Sequence, residues 1–460
     1  MFEKAAEFSA LRESSGGEFK GILTKLDYLQ RMSRRAVVAE IGERMDSGGA
    51  LHATAAAMGP MTPIGVARLS KKMFDGEDLT PLWRELIGKY VYEPNDAAAL
   101  MDLATIEQLF GNREDGLARQ AEALEICRLY RSPDPTRSPG LKLLALAAPG
   151  DMSANTPLEF LLQESDVALE TLYIVPGFPL PAPLPQHDVA FLAIGEADEN
   201  SAALAAIESA LPHWPRPVIN TPSRIAALSR QRLHAALADA PGVAIPATQR
   251  VDRAALAGLA ADTLSLGDLL ADGQFPIIAR PVDSHAGRGL QKLDDGAAVR
   301  AYLGAQPEAQ FYISRFIDYR GPDGLFRKYR IVFIAGRPYA CHMAISNQWM
   351  IYYLNANMKE SAAKRAEEAR FMRDFDDDFA ARHAAALGAI AARVGLDYFG
   401  IDCGETADGR LLVFEADIAM IVHAMDSVEV YPYKAPQMRK VFAAFCAMLH
   451  RRSGRTEVPA

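Results

Sequence analysis

The stretch DYFGIDCGETADGRLLVFEAD, residues 397–417, holds two apolar runs on either side of Asp408-Gly409, a pair that favours a two-residue hairpin turn. With those two residues as the loop, Ala407 faces Arg410, and counting back along both strands sets Asp402 directly opposite Glu415. The strand period of two puts Asp417 on the same face as Glu415, so three carboxylates converge. Like charges facing each other destabilise a sheet unless something positive lies between them. A hard divalent cation that takes oxygen ligands, Mg²⁺ above all, suits that position. A slipped register or a solvated face would dissolve the cluster. Ile401, Leu412 and Phe414 alternate with the acids and define a buried opposite face, which argues against both.

Upstream, FPIIARPVDSHAGRGLQKL (275–293) reads as a strand ending at Arg280, a loop over 284–289 and a return strand. Gly287 and Gly289 let backbone N–H groups approach anionic oxygens, and Arg280 adds a permanent charge. On its own the stretch serves equally as an ordinary hairpin; its weight comes from preceding the carboxylates. Between them lie FYISRFIDY (311–319) and LFRKYRIVFIAGRPYACHMA (325–344), the latter a strand, an Ala335-Gly336-Arg337 turn and a strand. Lys328 and Arg330 share a face with Val332 and Ile334, and the Arg330 guanidinium is shaped to fork onto a phosphate or carboxylate. His342 and the polar-aromatic run 346–355 are candidates to line an acceptor-substrate pocket, although a lone His in a strand is more often structural.

The remaining composition bounds the class. With 460 residues, 50% hydrophobic and 23% charged, the chain can bury a large core in two to four domains, which excludes a disordered or disulfide-stapled miniprotein. Lysines and arginines number 49 against 58 acids, so no global basic field draws the chain to nucleic acid or to a membrane surface. Cys127, Cys341, Cys403 and Cys446 are isolated, without zinc-ligand spacing or a disulfide framework. The charged start MFEKAAEFSALRESSGG lacks a signal-peptide core and no apolar run approaches a membrane span, so a cytoplasmic protein is expected.

Three domains are expected. Residues 1–135 read as helical. The clearest pair of helices carries Leu100, Leu103, Ile106 and Phe110 on one and Leu117, Ala121 and Leu124 on the other, an antiparallel hairpin resembling one tetratricopeptide-type unit. Its expected task is accessory, to recruit a protein partner or form a homo-oligomer. Residues 132–140, rich in Pro and Ser, form the linker. Residues 141–222 alternate apolar strands with helical stretches, the pattern of a parallel α/β layer, and residues 223–450 mix hairpins and helices.

The ordered set of parts over residues 141–449 resembles the ATP-grasp superfamily, in the manner of glutathione synthetase and RimK-like ligases. INTP (219–222) ends an α/β preface; SRQRLHAAL and GVAIPATQ follow; then come the strand with a terminal cation and Gly-rich lid, FYISRFI, RKYRIVFIAG, and the Gly-Ile-Asp hairpin with Glu415-Ala-Asp417. The resemblance implies a multidomain α/β protein, with an all-helical N-terminal domain, an α/β pre-ATP-grasp domain and an ATP-grasp α+β domain with antiparallel sheets. It implies that Arg230 and Arg280 contact phosphates, that Ser284, Gly287 and Gly289 form the lid, and that the backbone of Ser314, Arg315, Phe316 and Ile317 holds adenine. Arg330, with Lys328 beside it, would neutralise the moving phosphoryl group, and Asp402, Glu415 and Asp417 would hold Mg²⁺.

The implied activity is an ATP- and Mg²⁺-dependent, ADP-forming ligase that joins a small-molecule or peptide carboxylate to an amine acceptor through an acyl phosphate. A phosphotransferase or thiol ligase on the same fold, or a non-catalytic nucleotide-binding scaffold, remain open alternatives. Arginines stand where relatives usually carry phosphate-binding lysines, and Asp417 stands where they usually carry Asn. The segment 418–426 departs from the family's small-residue loop, so the resemblance names neither acid nor acceptor.

Overall fold

The computed structural model describes residues 59–133, 139–284 and 287–454. The linker residues 134–138 and the first 58 residues of the expected helical domain lie outside that description. The described chain divides into two units. One comprises the residues up to 133 with Pro149–Met152 and Leu169–Gln186, and the other the remainder.

In the first unit the helix Ala97–Leu109 is the organising element. Asp96 caps it by accepting from the Ala99 N–H at 3.0 Å, and its Ala/Leu-rich sequence buries two flanks. Leu103, Ile106 and Leu109 pack with Leu69 and Met73 of the preceding helix Val66–Phe74, with Leu86 of the helix Thr80–Tyr92 and with Leu79 just before it. Ala97 and Leu100 pack with Ala123 and Leu124 of the helix Arg113–Ile126. Its buried Asp102 accepts from Ile64 N–H (2.8 Å) and Gly65 N–H (3.2 Å), which satisfies donors at the start of Val66–Phe74.

The expected partner stripe needs correction. Leu124 is buried, but Leu117 is only partly so and Ala121 is exposed; the buried stripe is Gly116, Gln120, Ala123 and Leu124. Gly116 causes this, because a Cβ there would lie 2.6 Å from Gln108 Cγ and 2.8 Å from the Ala104 carbonyl oxygen. The helices therefore approach through the glycine rather than through Leu117.

Three strands follow, β1 (Leu129–Arg131), β2 (Leu141–Ala147) and β3 (Val167–Tyr173), and β1 pairs antiparallel with β3, Tyr130 opposite Thr171. In the second unit β2 runs parallel to β4 (Val189–Leu192), and β4 to β5 (Val218–Ile219), forming the expected parallel layer. The short β6 (Val243–Ala244) leads into β7 (Thr248–Asp252), β8 (Ile277–Pro281), β9 (Gln291–Leu293) and β10 (Gln310–Arg315). The last four form an antiparallel sheet of order β7-β10-β8-β9. Its buried side packs Ile277, Ala279, Phe311 and Ile313 with Leu256, Leu259, Val299 and Tyr302 of the helices Arg253–Ala260 and Gly296–Ala305.

A second sheet of order β12-β11-β13-β14-β6 combines β11 (Phe326–Ile334), β12 (Arg337–Ser346), β13 (Tyr398–Glu405) and β14 (Leu411–Asp417) with β6. The turn joining β11 to β12 has two residues, Ala335 and Gly336, both at positive φ, with Arg337 already paired to Ile334. Phe445, on the helix Lys434–Ser453, meets Phe191 of β4 and Tyr398 of β13 edge-on at 5.7 and 5.2 Å, so one helix serves both layers. Asn220 adds a polar tie, accepting from Asp397 and Tyr398 N–H at 3.0 and 3.2 Å and donating to Tyr398 O at 3.1 Å.

The β13–β14 hairpin corrects the expected turn while keeping the expected pair. The loop has three residues: Thr406 N–H donates to Arg410 O at 3.0 Å, the Thr406 hydroxyl accepts from Arg410 N–H at 3.0 Å, and Gly409 takes φ 80°. Near the turn Cys403 consequently faces Val413. A bulge then inserts Phe414, and beyond it Asp402 faces Glu415, as expected, and Gly400 faces Asp417. The longer turn and the bulge cancel.

One prediction concerns the helical unit. Burial pushes the Glu107 carboxyl up to about 7 from 4.5, against Arg119 and the Trp83 indole N–H, which donates at 3.3 Å. The folded unit then binds more protons than the unfolded chain between these values, so this contribution to stability is full below about pH 4.5 and lost as pH rises through about 7. Glu107→Gln is expected to flatten that pH dependence, by at most about 3 kcal/mol. Denaturant titrations at pH 4.5 and 8 check it, and an equal slope in both proteins contradicts it.

Candidate functional site

Antiparallel register fixes the site. Arg330 on β11 lies directly opposite His342 on β12 and Asp402 on β13, and Asp402 lies opposite Glu415 on β14. Cross-strand partners point to the same face. His342, Arg330, Asp402 and Glu415 therefore form a row across four strands, with Lys328 two residues along β11 on that face.

Asp402 is 1% exposed, and the row exists because its charge is met there. Arg330 donates to both its oxygens, Nε to Oδ1 at 2.8 Å and Nη2 to Oδ2 at 2.9 Å, and Lys328 Nζ lies 2.7 Å from Oδ2. Burial pushes the Asp402 carboxyl up, but Arg330 and Lys328 outweigh it and hold the group well below the usual carboxylate range. Glu415 is paired to Arg230 and lies 4.0 Å from Arg280 Nη1; against burial, these cations lower its pKa. Arg230 also donates Nη1 to the Phe414 carbonyl at 3.2 Å, so the bulge residue supplies an acceptor the ladder does not use.

Arg280 is the penultimate residue of β8, which runs one residue past the expected end, and is 11% exposed. Burial and the nearby Arg230 lower it to about 9 from 12.5. Its Nε donates to Ser284 Oγ at 3.2 Å and its Nη2 to Ser284 O, while Ser284 Oγ donates to Pro281 O at 2.8 Å, so Arg280 and Ser284 form one hydrogen-bonded corner. Gly287 and Gly289 have φ 69° and 66°. A Cβ at 287 would fall 1.5 Å from Tyr352 Oη, so Gly287 is packed against the polar-aromatic run. Tyr302 Oη donates to Gly289 O at 2.8 Å and pins the other end of the described loop.

Asp417 differs from its two companions. Its Oδ1 accepts from Ala419 N–H at 3.0 Å, and burial, aided by the Glu415 charge, raises it to about 6. Sequence reasoning missed Glu196, which follows Gly195 at the end of β4. Burial, with Asp283 and Asp417 nearby, pushes its carboxyl up to about 7. An acid just beyond the carboxyl end of a parallel strand was the available signal, since ligands of such layers gather there. Arg230 partly offsets both acids, but burial and the neighbouring carboxylates outweigh it, so Asp417 and Glu196 remain raised.

Ser314 and Arg315 lie on β10, opposite Ile278 and Ile277 of β8, and Arg315 Nε is 3.5 Å from Asp272. Phe316 N–H donates to Pro276 O at 2.9 Å, its ring meets Trp349 edge-on at 5.6 Å, and Lys292 Nζ lies 5.1 Å from its centroid; Ile317 follows, partly buried.

Asp402, Glu415 and Asp417 are the expected cation ligands; among the described residues no group of three or more His, Cys, Asp or Glu side chains that could hold a metal ion by itself is found. Arginines and a lysine occupy the oxygens of Asp402 and Glu415 instead.

Among the described residues, no helix is long and apolar enough to cross a membrane. No protein-family model and no curated protein matches the chain. Solved structures similar to it include a RimK domain protein ATP-grasp from Sphaerobacter thermophilus (16% identity, 67% of this chain and 99% of that one, TM-score 0.39). They also include the VanG D-Ala:D-Ser ligase from Enterococcus faecalis (11%, 68% and 100%, 0.42) and the D-alanine–D-alanine ligase from Bacillus anthracis complexed with ATP (13%, 68% and 97%, 0.41). These TM-scores lie below 0.5, and the functional reading rests on the side chains above. What the chain is similar to includes a protein of the ATP-grasp family that its ordered motifs resemble.

Proposed function

We propose that the protein is an ATP- and Mg²⁺-dependent ligase that joins a carboxylate to an amine through an acyl phosphate, releasing ADP. One observation carries the reading: a buried cross-strand row in which cations are stored on carboxylates, beside acids whose charge is poorly compensated. A carboxylate is a poor electrophile and repels ATP, so its activation requires cations that suppress repulsion and meet developing charge. Arg230 and Arg280 bind phosphate oxygens. The lid at Ser284, Gly287 and Gly289 covers them and excludes water from the acyl phosphate. Ser314 to Ile317 border the adenine.

Asp402, Glu415 and Asp417 would hold Mg²⁺, which when bound supplies positive charge to the phosphate oxygens. As the nucleotide enters, Arg330 and Lys328 exchange carboxylate for phosphate partners. Charge is conserved within the row, and Arg330 is already in place when the phosphoryl group moves to the substrate carboxylate.

The direct test supplies ATP and Mg²⁺ with pooled amino acids, measures ADP release, and weighs the product. An amide, lighter than its two components by one water, is the expected result; a phosphorylated product or a thioester indicates the other chemistries, and absence of ADP release overturns the proposal. Glu415→Gln is expected to lower turnover by about 100-fold or more while near-UV circular dichroism is kept. Unaltered turnover removes Glu415 from the metal site. Arg280→Ala is expected to weaken calorimetric binding of a non-hydrolysable ATP analogue by about 10- to 100-fold, the worth of a charge-assisted contact. Equal affinity excludes Arg280 from the phosphate site.

A further inference from the structure

The row that reaches Glu415 on one side ends at His342 on the other, and His342 has no part in the phosphate chemistry above. Resting on the ligase reading, we propose that His342 is the catalytic residue of the second half-reaction, orienting the attacking amine and accepting its proton. Position is the first argument. Arg230, Arg280 and Glu415 mark the phosphate-donor end, and the phosphoryl group moves toward Arg330. His342 stands one strand farther from Glu415, about 4.8 Å across the sheet from Arg330. An amine attacking the acyl carbon enters from that side.

The ring's surroundings are the second argument. Its Nδ1 is enclosed by protein and has no hydrogen-bond partner among the described residues, whereas buried polar atoms that serve the fold are paired. The imidazole meets the Tyr353 ring edge-on at 5.0 Å. The Tyr353 hydroxyl is already engaged, donating to Glu368 Oε2 at 2.8 Å and accepting from Lys434 Nζ at 2.5 Å. No hydrogen bond of the fold thus accounts for a histidine here.

The charges facing the ring come from Arg330 and Lys328 on β11, Asp402 on β13 and Lys434 on the C-terminal helix. Burial, then Arg330 and Lys434, hold the imidazole well below its usual pKa, so it is neutral and its lone pair is available at neutral pH. Phosphate oxygens bound to Arg330 offset part of that cationic field, and the base strengthens once the acyl phosphate is in place. In the step itself the amine lone pair forms the C–N bond and the C–O bond to phosphate breaks. Phosphate leaves with that electron pair, and the N–H proton passes to His342 and then to water.

Hydroxylamine separates the two half-reactions, because it is unprotonated at neutral pH and attacks acyl phosphates without a base. Wild-type protein with Mg²⁺, ATP and pooled amino acids is expected to form amide, and to form hydroxamate when hydroxylamine replaces the amine. His342→Gln and His342→Asn are expected to lose about 100-fold or more in amide formation while hydroxamate formation stays within about twofold. The loss should appear in kcat for the amine more than in KM for the acid. Variants that keep amide formation overturn the role of His342 and leave the ligase reading standing. Variants that lose both products place His342 in the fold or the first half-reaction, which also overturns it. Wild-type protein that yields neither product defeats the ligase reading, and the His342 proposal with it.

Discussion

A carboxylate in the middle of a five-stranded sheet must be compensated where it stands, because an isolated charge at 1% exposure costs several kcal/mol. Asp402 is met by a two-pronged Arg330 contact and by Lys328, and much of the site follows from that. Leaving either charge unpaired at this depth is costly, so Arg330 stays on Asp402 until another anion takes its place. Its remaining Nη1 donates to Ile421 O at 3.1 Å and draws in the loop after β14.

The surrounding fold holds this arrangement with hydrogen bonds and close backbone approaches rather than with bulk alone. Thr156 Oγ1 donates to Ile418 O at 2.8 Å, and Asn220 fixes the start of β13, so the parallel layer and the carboxylate hairpin are registered to one another. Gly400, opposite Asp417, leaves room for Met420, whose Sδ would lie 2.8 Å from a Cβ there. At the far end of the row Lys434 is almost fully buried, its Nζ 3.9 Å from the Tyr353 ring centroid, 4.5 Å from that of Tyr431 and 3.0 Å from Asp426 Oδ2. This knot fixes the loop from β14 and the polar-aromatic segment around His342.

Local pattern made the acids, cations and glycines of the site legible, because strand alternation and turn chemistry act over a few residues. Pairings across long separations were not legible: Arg330 and Asp402 are 72 residues apart, and nothing near either one announces that the guanidinium meets the carboxylate. The Phe414 bulge was equally hidden. Its ring lies 5.0 Å from that of Tyr319 and its carbonyl accepts from Arg230, both distant in the chain, so the expected Asp402–Glu415 pair is reached through a turn of a different length. Glu196 escaped notice because its weight comes from Asp417 and Asp283, which only the fold brings near. In the helical unit the missing side chain of Gly116 decided the packing face over the more apolar Leu117.

The central claim is that these carboxylates, occupied by arginine and lysine, accept a divalent cation only when phosphate arrives to take the cations in exchange. Calorimetric titration of Mg²⁺ into the protein, alone and with a saturating non-hydrolysable ATP analogue, measures this directly. The account predicts no resolvable heat of binding for the metal alone and clear binding with the analogue present. Tight binding of Mg²⁺ to the protein by itself, or analogue binding that is indifferent to the metal, would contradict it.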